Sequence, residues 1–298
     1  MKVSSILSAI VVLILASSLL SIWFYPSVHD FIASNIMWNG MKNVISEFSA
    51  DNIDAMDELP DLPEQTVLVS VSYVEYSDAE LSNVKQFVND GGTLLLMDDY
   101  GYGNRVLAYL GVSVRFTNKP LLDPLFSYKN QSMPLITDFA SEVKESGVDT
   151  VMLNHATTLS NVLESEAIAW SSTSSFLDMN DNGSWEQGEP KGPFTVATEF
   201  RFGQGTLALV ADPSIMINTM VGRNDNDGFI RYLMGGNVEQ KEILIDRSHL
   251  TKTPLDASKT RLINIREVLS NPYALLGITA MIFVVISRYT LKKGETIG

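Results

Sequence analysis

Two uncharged apolar runs, one near each end of the chain, restrict its fold more than any other feature. From Val3 to Val28 no residue is charged, and the stretch SSILSAIVVLILASSLLSIWFY is predominantly apolar. Roughly 20 such residues, wound as a helix, span the hydrocarbon core of a bilayer. Trp23, Phe24 and Tyr25 stand at its far end, where interfacial aromatics collect. A cleaved signal peptide is the competing reading. Against it, the run exceeds the usual apolar region of roughly 7–15 residues, and no A-x-A-like site closes it. The second run, Val268 to Ser287, includes Asn271-Pro272, where a helix can start because proline fits the first turn. Arg288, Lys292 and Lys293 follow it, and by the positive-inside rule they stay in the cytoplasm with Lys2.

The expected layout is therefore a two-pass protein of the cell membrane with both termini cytoplasmic. Residues 1–28 would be the first anchor and 29–64 a juxtamembrane helix and linker. Residues 65–250 would form an extracytoplasmic α/β domain, 251–267 a linker, 268–288 the second transmembrane helix and 289–298 a cytoplasmic tail. Charge fits this division. Residues 26–240 carry 30 acidic and 11 basic side chains, a balance of −19, whereas residues 241–298 carry 5 acidic and 9 basic. So acidic a body repels phosphate backbones, which argues against nucleic acid as a partner. The chain has no cysteine. Disulfides, thiolate zinc sites and cysteine nucleophiles are thereby excluded.

Within the body, TVLVSVSY reads as a buried parallel strand. Ser77-Asp78 can cap the next segment, where Leu81, Val84, Phe87 and Val88 fall at helical spacing and Gly91-Gly92 ends the helix. GTLLLMDD is a second buried strand, NRVLAYLG a short helix and VSVRF a third strand. That alternation predicts a doubly wound, mostly parallel sheet of flavodoxin type. Further on, DTVMLNHATTL and EAIAWSSTSSFLD look strand-like. PFTVATEF and GQGTLALVADP form a hairpin across FGQG, two helical pieces flank the polar turn at Asn224, and KEILIDRSHL is a late strand.

Three phrases carry a resemblance to a prokaryotic family, domain of unknown function 4350: VKQFVNDGGTLLLMDDYG, GQGTLALVADPSIMIN with NDNDGFIRYL behind it, and ILIDRSH. The resemblance covers roughly residues 60–250. It implies a fold similar to class I glutamine amidotransferases and a membrane-tethered protein that works with other membrane or exported proteins. Enzymes of that fold place a cysteine on the turn after a strand. Here Tyr100-Gly101 follows TLLLMDD, so the chemistry of that nucleophile is absent.

The sharpest local motif runs from Asp178 to Glu189 and fits the calcium-loop pattern D-x-[DN]-x-[DN]-G-x5-E. Asp178, Asn180 and Asn182 would supply oxygens at positions 1, 3 and 5, with Gly183 allowing the sharp turn. The Ser184 carbonyl would follow at position 7, Glu186 through water at position 9, and a two-oxygen Glu189 at position 12. Ca2+ is thus the expected cofactor, and an acidic surface turn is the plain alternative. At the end of a central strand, Asp98, Asp99 and Tyr100, with Asp212, could line a ligand crevice, because open α/β sheets bind ligands beyond the carboxyl ends of their strands. Strand-end aspartates also cap following helices. Of the histidines, His29 reads as interfacial, His155 follows a strand, and His249 sits in Asp246-Arg-Ser248-His249. Near neighbours in sequence rarely form a relay, so Ser248 is not expected to act as a nucleophile. The expected function is a binding or scaffolding domain without catalysis. The alternatives are a carboxylate-dependent hydrolase or carbohydrate-active enzyme, and a solute-binding module of a transporter.

Overall fold

The structure is a computed structural model that describes residues 3–25, 27–251, 253–281 and 283. It divides into two compact units, one of Met1–Ser27 with Lys252–Gly298 and one of Val28–Thr251. The first holds helix α1 (Val3–Phe24). In the second, α2 (Lys42–Phe48) leads to a short strand β1 (Asp51–Ile53), then β2 (Thr66–Val71), α3 (Asp78–Asn89), β3 (Thr93–Met97) and α4 (Gly103–Leu110). Short pieces follow: β4 (Arg115–Phe116), β5 (Leu121–Leu122), β6 (Leu135–Ile136), β7 (Asp138–Phe139), α5 (Ser141–Glu145), β8 (Val151–Met152) and β9 (Leu159–Ser160). The unit ends with β10 (Ala167–Trp170), β11 (Phe176–Leu177), β12 (Thr195–Phe202), β13 (Gly205–Val210), α6 (Asn226–Leu233) and β14 (Glu242–Asp246). Helix α7 (Pro254–Ser270) belongs to the first unit, where Thr253 and Asp256 form a reciprocal cap at its start.

The protein is mixed α/β with a mostly parallel central sheet. Its order β1-β14-β2-β3-β13 is parallel throughout, and β12, β10 and β7 extend it antiparallel. Every residue of β2 is buried, as a strand covered on both faces requires. Successive side chains go to opposite faces. Val67, Val69, Val71, Leu95 and Met97 join the cluster that holds Val44 and Phe48 of α2 and Phe229 and Leu233 of α6. Leu68, Leu94 and Leu96 join Leu81, Val84 and Phe87 of α3 and Val106 and Leu107 of α4. Helices thus cover both faces. Ser77 caps α3 with Glu80 in a reciprocal box, as its sequence predicts.

Two expectations change. VSVRF does not continue the parallel sheet: only Arg115–Phe116 is extended, and it pairs antiparallel with β9. Val114 and Phe116 are buried while Ser113 is exposed and Arg115 half-buried, the alternation of a strand with one wet face. The place beside β3 goes to β13, whose unbroken apolar run tolerates burial on both sides. Residues 29–64 are helical only over α2 and a single turn at Met56–Glu58, and they belong to the α/β unit, lending β1 to its edge.

The two expected transmembrane helices are not supported. Among the described residues, no helix is long and apolar enough to cross a membrane. The tail 289–298, with Lys2, Arg288, Lys292 and Lys293, lies outside the described residues.

Leu95 is fully buried in the middle of β3 and pairs with Val69 on one side and Ala208 on the other. Leu95→Ala should cost about 2–5 kcal/mol in denaturant unfolding. A loss well under about 1 kcal/mol would contradict a close-packed centre at this position.

Candidate functional site

The carboxyl ends of the parallel strands gather the polar groups of the fold. β3 delivers Asp98, Asp99 and Tyr100, β13 delivers Asp212, β2 delivers Tyr73 and β14 delivers Asp246 with Ser248 and His249. The sequence-predicted crevice residues therefore do assemble at one edge, but its carboxylates are engaged by the chain itself. Asp98 is fully buried and accepts from the amides of Gly101 and Gly103, both at 2.7 Å, which fixes the turn into α4. Gly101 and Gly103 have no room for a side chain, since a Cβ on either would meet an Asp98 oxygen at 2.7 Å. Asp212, also fully buried, accepts from the Asn154 amide at 2.5 Å and from the Ser214 amide at 2.7 Å. Asp99 accepts from the Tyr100 amide at 2.6 Å, and the Tyr73 hydroxyl donates to its two oxygens at 3.0 and 3.1 Å. Of the four predicted residues only Tyr100 is exposed.

Burial sets the electrostatics. It pushes the Asp212 carboxyl up to about 7, against the lowering effect of its two amide donors, and the nearby Asp99 charge adds to the rise. Asp98 is pushed up to about 6 for the same reason, opposed by the Gly101 and Gly103 amides. Asp99 is raised by burial, opposed by the Tyr100 amide, the Tyr73 hydroxyl and, weakly, the charge of His155. His155 is exposed on a left-handed turn (φ 59°).

A second cluster at the same edge gathers Ser70, Tyr76 and Glu80, which sequence reasoning missed, around Asp246, Ser248 and His249, which it named. Nδ1 of His249 lies 2.8 Å from Asp246 Oδ2, and the Tyr76 ring stacks on the imidazole with centroids 3.4 Å apart and planes 9° apart. Ser70 donates to Asp246 Oδ2 at 2.8 Å and also bonds the Tyr76 hydroxyl. Nε2 lies 3.7 Å from Glu80. Burial pushes Asp246 up, but hydrogen bonds and charge from His249, with bonds from Ser248 and Ser70, outweigh it and hold the carboxyl below its usual range. Ser248 Oγ approaches the same Nδ1, at 3.0 Å, that Asp246 occupies. A relay needs the serine on the opposite nitrogen, so this trio is not a nucleophile site. Its backbone role is plain: the His249 carbonyl accepts from the Tyr73 and Val74 amides and ties β14 to β2.

The loop Asp178–Glu189 folds on its own polar groups. Asp178 is buried and accepts from Asn182 (3.1 Å) and Gly183 (2.7 Å), while Asn182 accepts from Ser184 (2.8 Å). Gly183 has φ 73°, as the sharp turn demands. Glu189 reaches back to the Met179 and Glu186 amides at 2.8 and 2.9 Å, and Glu186 accepts from the side-chain amides of Asn180 and Asn182. Position 12 of the loop is thus brought against its beginning. Among the described residues, no three His, Asp or Glu side chains converge as a metal cluster. Burial raises the Tyr100 hydroxyl, and the charges of Asp99 and Asp212, then of Asp181 and Asp178, add to the rise.

Fold and site define a class: a mixed α/β domain whose strand-end carboxylates serve its own backbone. Residues 42–234 match the family described as Domain of unknown function (DUF4350), and the chain belongs to that family. None of the curated proteins matches it. Among solved structures, the mmIFT52 N-terminal domain is similar in fold, with a TM-score of 0.50 at 13% identity over 66% of this chain and 91% of that one. Cytoplasmic Protein STM1381 from Salmonella typhimurium LT2 aligns at 0.38 and 14% identity, over 74% and 86% of the two chains. A beta-galactosidase from Bacillus circulans sp. alkalophilus aligns at 0.33 and 12%, over 57% and 22%.

A carboxyl whose folded pKa lies above its unfolded value holds its proton more tightly when folded. It therefore subtracts stability as pH rises, here from about 4 to about 7 for Asp212. The melting temperature of Asp212→Asn, relative to the native chain, should become more favourable between about pH 5 and pH 8, at about 2–4 °C per kcal/mol for a domain of this size. An unchanged difference across that range would show that Asp212 does not titrate there.

Proposed function

We propose that this chain is a membrane-tethered binding or scaffolding protein, displayed outside the membrane on an amidotransferase-like fold that performs no catalysis. The observation that carries the reading is the engagement of Asp98 and Asp212 by four backbone amides at 2.5–2.7 Å, which leaves neither acid an open face for a substrate. A carboxylate hydrolase needs two such groups facing one cleft. The cysteine-free sequence and the single shared nitrogen of His249 point the same way. Tethering is supported by the uncharged run Val3 to Val28 and the cationic residues that follow Ser287. Its partners would be other membrane or exported proteins, met by the acidic α/β unit.

Within this reading the Asp178–Glu189 loop takes Ca2+ as a structural ion. Asp178, Asn180, Asn182, the Ser184 carbonyl and Glu189 would hold it, with Glu186 acting through water. The pairing of Glu186 with the Asn180 and Asn182 amides draws these groups together. Only one of the first three ligands is charged, so affinity would fall in the millimolar range of extracellular modules. Calcium at ten times its Kd stabilises a fold by about 1.4 kcal/mol. Millimolar calcium should therefore raise the melting temperature of the native protein and leave Asp178→Ala unmoved. Equal responses of the two proteins would remove calcium from the account.

Cross-linking of the full-length protein in native membranes tests the scaffold itself. A reproducible protein neighbour is the expected result. Recovery as an uncross-linked monomer would contradict it.

A further inference from the structure

The α/β unit exposes a short apolar tip that its own backbone holds in place. Ile36, Met37 and Trp38 are 62, 42 and 61% exposed, while Asn35 and Asn39 on either side are buried. Asn35 Oδ1 accepts from the Met37 amide at 2.7 Å, and Asn35 Nδ2 donates to Asn39 at 3.0 Å. From below, Asn218 donates to the carbonyls of Asn35 and Met37 at 3.0 and 2.6 Å, and Thr219 donates twice to the carbonyl of Trp38. Gly40 closes the turn so tightly that a Cβ there would sit 1.9 Å from the Asn35 carbonyl oxygen. Three large apolar side chains are thus presented to solvent on a frame that has no freedom to bury them. An exposed apolar feature with a preorganised backbone marks an interaction site.

Its position identifies the occupant. Asn39 Nδ2 donates to the Val28 carbonyl at 2.9 Å and Asn35 Nδ2 to the His29 carbonyl at 2.8 Å, so the tip stands beside the point where the chain enters the unit. His29 Nδ1 in turn lies 3.2 Å from Thr251 Oγ1, where the chain leaves it. Entry, exit and tip share one pole, and that pole is the one a tether at either end would bring to the bilayer. From Phe31 to Met41 there is no charged residue, in a body that carries 30 acidic side chains between residues 26 and 240. Asp30, the nearest acid in sequence, is held by Asn39. Tryptophan with aliphatic neighbours on a neutral loop suits the boundary between headgroups and acyl chains.

We propose that Ile36, Met37 and Trp38 form a lipid-interface wedge that seats the α/β unit on the membrane surface. This rests on the tethering proposed above. Where the tether alone leaves the unit free to swing, the wedge fixes which face points away from the membrane, and hence which face a partner meets.

The cysteine-free chain makes the test direct. Full-length Trp38→Cys is labelled with an environment-sensitive fluorophore in vesicles of phosphatidylcholine and phosphatidylglycerol. Phe24→Cys reports the tether. Leu62→Cys, at an 89% exposed site just ahead of the amino end of β2, reports the distal surface, whereas the tip is pinned by Asn218 after the carboxyl end of β13. Spin-labelled lipid should quench labels 24 and 38 about twofold or more, as expected for groups at the acyl boundary, while aqueous iodide quenches only label 62. If label 24 meets lipid and label 38 meets iodide, the wedge is wrong and the tether stands. If neither meets lipid, both are wrong. A label at 38 shielded from both quenchers would give the tip to a protein partner and overturn the lipid assignment. Met37→Cys, which retains Trp38, repeats the reading should Trp38→Cys fail to fold.

Discussion

The structure depends on how the carboxyl ends of its parallel strands are closed. Five parallel strands aim their last carbonyls and the following side chains at one edge, and a fold of this kind leaves that edge open for a ligand. Here the edge is filled from within. Asp98 and Asp212 take four backbone amides, Asp99 takes a tyrosine hydroxyl and the amide of Tyr100, and Asp246 takes a histidine, a tyrosine and two serines. An acid buried this way raises its own pKa unless its partners compensate. Compensation is incomplete for Asp98 and Asp212, and more than complete for Asp246. The difference is the partner: a histidine can bring a full charge, whereas an amide brings only a dipole.

The segment that precedes the first helix of the α/β unit takes part in this closure. Phe31 is buried with its ring 5.5 Å from that of Tyr73, whose hydroxyl holds Asp99. Asn43 donates to Asn218 twice, from its amide to Oδ1 and from Nδ2 to the carbonyl, joining the start of α2 to the turn after β13. A stretch that reads as a linker is therefore packed, and its exposed apolar tip follows from being pinned by the same turn.

Much of the α/β unit was legible in its sequence where local rules suffice. TVLVSV and TLLLM are apolar on both faces and became neighbouring central strands. Ser77 and Glu80 made the cap their spacing implies, and FGQG made the hairpin turn between β12 and β13. That Asp98, Asp99 and Asp212 stand at strand ends was legible because strand-end position is a sequence property. Their partners were not, because Asn154 and Tyr73 come to Asp212 and Asp99 only through the tertiary fold. The stacking of Tyr76 on His249 and the burial of Asn35 by Asn218 have the same origin. VSVRF failed for a different reason: its alternation fits an edge strand as well as a central one, and β13 had the stronger claim to the centre.

The central claim is that the chain's own backbone closes the strand-end edge, and amide hydrogen exchange of the full-length protein tests it most directly. The account predicts that Phe31, Met41, Gly101, Gly103, Asn154 and Asn218, whose amides all donate within the unit, are protected nearly as long as the amides of β3. Fast exchange at these positions beside a protected β3 would contradict it, and would describe an edge that opens to admit a ligand.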